Sequence, residues 1–103
     1  MIRTTTRSIV AATAIRDRKS FRTSGAFFGQ TYPDGGLGLG VAYNSWLNDD
    51  EKQQWYTDCY HVDYAVFSYA TPIAWHTPNG WHVVDQKFSQ TTGKHQSNLY
   101  MIR

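Results

Sequence analysis

Residues 64–85, YAVFSYATPIAWHTPNGWHVVD, leave few folds open to this chain. Residues 64–70 alternate and are rich in β-formers, and Pro72 interrupts the pattern before IAWH, so that strand edge is bent or discontinuous. The run Thr77-Pro78-Asn79-Gly80 then turns the chain, because proline presets φ and Asn-Gly supplies a positive-φ position. WHVVD returns after it. The expectation is an antiparallel sheet over 64–69, 72–77 and 80–86.

The turn also fixes which side chains meet. If Pro78-Asn79-Gly80 is a three-residue loop with Gly80 left-handed, Thr77 faces Trp81 and His76 faces His82. Opposed Cβ atoms lie ~5 Å apart, which suits two metal ligands. A two-residue loop instead sets His76 against Trp81 and separates the histidines. Even in the first register a zinc site needs a third and fourth ligand, from Asp85, His61 or His95. A solvated strand face is the simpler reading, and no metal or other cofactor is expected.

Two helices are marked by their caps. Ser8 caps residues 8–18, where Ile9, Ala12 and Ile15 follow helical spacing and Arg16, Arg18 and Lys19 suit the C-terminal end of the dipole. Asn48 caps residues 46–60, with Asp49, Asp50 and Glu51 in the first turn. Trp55 and Cys59 share a face of that helix. The single cysteine excludes an internal disulfide, and it reads as a small buried hydrophobe. FRTSGAFFGQTY is a strand interrupted at Gly25, so residues 21–30 are a candidate fourth strand. The glycine-rich run 33–40 lacks the Lys-Ser/Thr of a phosphate loop and reads as a flexible loop.

These elements make one domain, 1–103, of the α+β class: a small antiparallel sheet of three to four strands with two helices packed on one face. Core candidates are Trp55, Phe67, Trp75, Ile73, Val66 and Val83. Strand alternation forbids Val66 and Phe67 on one face, so one packs elsewhere or the sheet is covered on both sides.

The chain is 16% aromatic, with only 17% charged residues and a net charge of +2. That is short of the basic excess of a DNA-wrapping protein. Tyr64, Phe67, Tyr69, Trp75 and Trp81 could stack bases, but the basic residues cluster at 3–22 instead of interleaving with the rings, which favours a core. No segment approaches the ~20 apolar residues of a membrane span, so no membrane partner is expected.

The polar run Ser89, Thr91, Thr92, Lys94, His95 and Gln96 is the candidate binding segment. His95 as base with Lys94 holding an anion could act on a phosphodiester. The same groups could bind a partner without chemistry, and Ser89 could cap a turn. No catalytic residue is assigned.

The pattern FRTSGAFFG, then Ser68-Tyr69-Ala70-Thr71-Pro72-Ile73-Ala74-Trp75, a Gly-Trp pair, and Ser89-Gln90-Thr91-Thr92-Gly93-Lys94-His95-Gln96 resembles a small domain of unknown function encoded by phages of actinobacteria. Phe67 stands where that pattern carries Tyr. The resemblance spans residues 20–97. It implies a phage protein in a bacterial cytoplasm and brings no activity with it. The mild charge, the absence of a paired-carboxylate or metal motif and the aromatic excess favour a non-enzymatic interaction module that binds a host or phage protein, or itself. The competing reading is a nucleic-acid-binding protein or small nuclease using His95 and Lys94.

Overall fold

The computed structural model describes residues 1–34 and 37–103. Six strands form one sheet: β1 (Ile2–Arg3), β2 (Phe21–Arg22), β3 (Phe27–Thr31), β4 (Tyr64–Ser68), β5 (Thr71–Thr77) and β6 (Gly80–Val83). Their spatial order is their chain order, with β1 parallel to β2 and every other pair antiparallel. The sheet is therefore mixed and six-stranded, which corrects the expected three- to four-stranded antiparallel sheet. Residues 21–30 supply two strands, since the chain leaves the ladder around Gly25 before β3 resumes.

Four α-helices accompany the sheet among the described residues: α1 (Ile9–Arg16), α2 (Gly40–Tyr43), α3 (Asp49–Asp58) and α4 (Gln90–Gln96). The expected caps hold two of them. Ser8 Oγ accepts from the Ala11 N–H, and Asn48 Oδ1 accepts from the Glu51 N–H. Cys59–His61 and Ser97–Leu99 add single 3₁₀ turns. Of the glycine-rich run, Gly35 and Gly36 lie outside the described residues.

The helices are not on one face. All five residues of β4 are buried, and they alternate between two separate cores. Tyr64 and Val66 pack with Ala11, Ala14 and Ile15 of α1 and with Leu99. Ala65 and Phe67 pack with Trp55, Cys59 and Val62 of the α3 segment. A central strand covered on both sides has no solvent face, so the alternation over 64–70 does not tell which side carries the helices. The expected single helical layer is thus two layers, one on each side of the sheet.

A bulge sets the faces of β5. Val66 pairs with Ala74 while Phe67 pairs with Pro72, so Ile73 is the extra residue. This lets Ile73 and Ala74, neighbours in sequence, belong to the same core. It also gives Pro72 a place in the sheet, next to an irregular ladder. Val84, rather than the expected Val83, is the fully enclosed valine at the end of β6.

Gly29 is required by packing. A Cβ there would collide with the Tyr64 hydroxyl and the Phe21 ring, both part of the α1-side core.

The β5–β6 loop has two residues, Pro78 and Asn79, because Thr77 pairs with Gly80. Gly80 takes the positive φ, at 113°, and Thr77 Oγ1 accepts the Asn79 N–H. His76 therefore opposes Trp81, and His82 opposes Trp75 on the other face. Each ring nitrogen meets a different carboxylate: His76 Nδ1 lies 2.8 Å from Asp63 and His82 Nε2 lies 2.8 Å from Glu51. The two histidines cannot share a metal, and no cluster of three metal-ligating side chains occurs among the described residues.

Candidate functional site: a cavity at the 69–70 turn

The β4–β5 hairpin closes through Tyr69 and Ala70, flanked by the Ser68–Thr71 pair. Both loop residues have positive φ, 51° and 64°. Two-residue hairpins of this kind select Asn-Gly, because side chains with Cβ atoms are strained there. Each strained residue costs on the order of 1 kcal/mol. The surroundings impose the conformation: the Tyr69 N–H donates to Ala26 O, and the Tyr69 ring stacks over His95 at 5.9 Å.

His95 lies beneath that ring, 3% exposed. Its other side stacks on Phe27, with centroids 4.8 Å apart and planes 10° from parallel. Nδ1 is 2.6 Å from Ser68 Oγ. The Ser68 hydroxyl donates to Thr92 Oγ1, which also accepts from the Ser89 hydroxyl, while Ser89 Oγ accepts the Thr92 N–H as the cap of α4. Ser68 Oγ thus joins the His95 ring to the hydroxyls of α4.

A nucleophilic serine gives its proton to a histidine lone pair, and a third group orients the histidine. Here no carboxylate bonds the imidazole among the described residues. Burial holds its pKa below the ordinary value, so it is neutral near pH 7. The Ser68–His95 contact is a strut that fastens α4 to the sheet.

Around the turn the chain encloses a cavity of about 580 Å³. Its apolar walls are Trp46, Tyr69 and Phe88, with the buried hydroxyls of Ser68, Thr71 and Thr92 and the exposed Ser89, Thr91 and Lys87 supplying the polar lining. Trp46 is 75% exposed and Tyr69 53%. Their backbones are pinned. Thr71 Oγ1 accepts the Trp46 N–H, while Gln86 donates to Trp46 O and accepts the Asn48 N–H. Gln96 in turn donates to Val84 O and Gln86 O, holding the segment that carries Gln86. Large rings are thus presented to solvent from fixed positions.

The structure divides the sequence-predicted segment. Ser89, Thr91 and Thr92 border the cavity, and Ser89, Lys94 and Gln96 border a second groove that shares Lys87, Phe88 and Ser89 with it. His95 lies under both Tyr69 and the hydroxyls. Lys94 and His95 are consecutive on the helix and point apart, Lys94 to solvent and His95 into the fold. Trp46, Tyr69 and Phe88 were not read from the sequence as one site. The available signal was Tyr69-Ala70 occupying a tight turn without Asn or Gly.

No helix among the described residues is long and apolar enough to cross a membrane. No curated protein and no solved structure matches the chain. The model of a family of unknown function, DUF8033, matches residues 4–101, so the chain belongs to that family.

Proposed function

We propose that this DUF8033 protein is a phage accessory protein without enzymatic activity, an interaction module that holds a partner protein at the Trp46–Tyr69–Phe88 cavity. The observation that carries the reading is the strained Tyr69-Ala70 turn. A chain that needed only to reverse direction would place Asn-Gly there; this one bears the strain and presents a rigid tyrosine at the rim of an apolar cavity. Strained backbone collects at functional positions, and tyrosine and tryptophan are among the side chains that dominate protein interfaces. The pinned Trp46 loop means little ordering is required on binding.

The test is a photocrosslinking amino acid placed at position 69, and separately at Tyr60, an exposed tyrosine outside the cavity lining, in actinobacterial cells expressing the protein. One discrete protein captured from position 69 and not from 60, with capture lost in Trp46→Ala, supports the reading. Equal capture from both positions, or none from 69, overturns it.

A further inference from the structure

The net charge of +2 conceals a strong segregation. Eight of the ten Lys and Arg residues fall in 1–19 and 87–103, where Asp17 is the only acid. Six of the eight Asp and Glu fall in 32–63, where Lys52 is the only cation. The fold converts this into two surfaces. Residues 1–19 and 87–103 contain β1, α1, α4 and the Ser97–Leu99 turn, which cover one face of the sheet and its edge, while 32–63 contains α2 and α3, which cover the other.

The two sets also differ in how they are used. On the α3 side Glu51, Asp58 and Asp63 each accept a hydrogen bond from, or pair with, a ring of the sheet. On the α4 side Arg7, Lys87 and Lys94 are exposed and form no ion pair among the described residues. These three line one open groove of about 460 Å³, together with Ser89, Gln90 and Ser97. Cations brought together without a carboxylate repel one another and lower the cost of accepting an anion.

We propose that this groove binds the phosphodiester backbone of nucleic acid, independently of base sequence. Lys and Arg supply charge, and hydroxyl and amide groups supply the hydrogen-bonding contacts to phosphate oxygens. A phosphodiester chain carries charge at every repeat, so it can meet cations spread over a face about 30 Å across. The acidic α2–α3 surface repels the same polymer and confines it to one side. The groove adjoins the aromatic cavity and shares Lys87, Phe88 and Ser89 with it. Trp46 lines only the cavity, while Arg7 and Lys94 line only the groove, so substitutions at these three positions tell the two proposals apart.

The test is fluorescence anisotropy of a labelled single-stranded and a labelled duplex DNA 20-mer over a salt series. Binding is expected at low salt, weakening linearly in log–log form. Each of Arg7→Gln, Lys87→Gln and Lys94→Gln should reduce the slope by about one. The triple variant should bind at least tenfold more weakly, while Lys52→Gln and Trp46→Ala bind as the parent does. Circular dichroism confirms that the variants are folded. Absence of binding at low salt, a triple variant that binds undiminished, or a loss that Lys52→Gln reproduces would overturn the proposal. So would equal affinity for poly-glutamate, which would make the groove a site for acidic protein.

Discussion

One strand, β4, supplies both faces of the sheet, yet the faces are held by different means. On the α3 side the helix is fastened by large rings whose polar atoms are satisfied. Trp55 meets Trp75 edge-on at 4.9 Å, the Trp75 indole donates to Asp58, and the Trp55 indole donates to Gly38 O. On the α4 side the sheet meets alanines of α1 and a seven-residue helix, QTTGKHQ, rich in residues of poor helix propensity. That helix is held by Ser68, Ser89, Thr92 and His95, and by Asn98, whose amide donates to Thr6 O. Stability on the first face follows apolar volume, and on the second it follows a hydrogen-bond network. The network side is also the side that leaves cations free.

The contrast can be broken most sharply at Trp75. Trp75→Ala removes a fully buried ring and leaves Asp58 without its indole partner, which should cost about 3–5 kcal/mol. Urea denaturation reads it. A loss no larger than that of His95→Ala would mean the α3 face is not the stronger one.

His95→Ala comes next, at about 2 kcal/mol, because the Phe27 stack and the Ser68 bond go together. The pH dependence sharpens this. Burial lowers the folded pKa of His95 from its ordinary value of about 6.5, so the unfolded chain binds the proton more readily. Its contribution is complete above about pH 7 and is lost as pH falls below about 6.5 and through the lowered folded value. The urea midpoint of the parent should fall more steeply than that of His95→Gln between pH 7 and pH 5. Parallel curves would remove His95 from the account.

Ser89→Ala should cost about 1 kcal/mol as the lost cap of α4. Amide exchange should then speed up in 90–96 while α3 stays protected; equal loss of protection in both helices would show the faces to be one cooperative unit. Gly80→Val, in the hairpin between the faces, should cost on the order of 1 kcal/mol through its φ of 113° alone, since nothing lies within 4 Å of an added Cβ. A thermal midpoint equal to the parent's would show that the turn relaxes.

Much of the fold is legible where a residue acts locally. Ser8 and Asn48 mark their helices, and Pro78-Asn79-Gly80 marks its turn, because caps and turns are short-range chemistry. What escapes is what depends on distant partners. The strand β1 has two residues and no period to detect. The helix α4 exists through bonds from Ser68, 24 and 27 residues away. The sidedness of α1 and α3 is hidden because YAVFS is buried on both faces, so its alternation marks no solvent side. The His76–His82 register turned on one residue of loop length, which the sequence left open. At the site, the hydroxyl-rich run 89–96 was visible as a unit. Its division between cavity, strut and groove was not, because helical geometry separates neighbours that the sequence lists together.

The two-residue hairpins of the 64–83 meander bear on the order of assembly. Strands β4, β5 and β6 pair across loops of two residues, so they close with little chain entropy. Joining β3 to β4 means closing the α2–α3 excursion, and joining Asn98 to Thr6 means bringing together nearly the whole chain. The meander is therefore the natural folding nucleus, and the α1–α4 layer docks late. Substitutions within 64–83 should slow refolding, whereas those at Thr92, His95 or Asn98 should mainly hasten unfolding. The lifetime of the native protein is accordingly set by its network face, and the speed with which it forms by the hairpins.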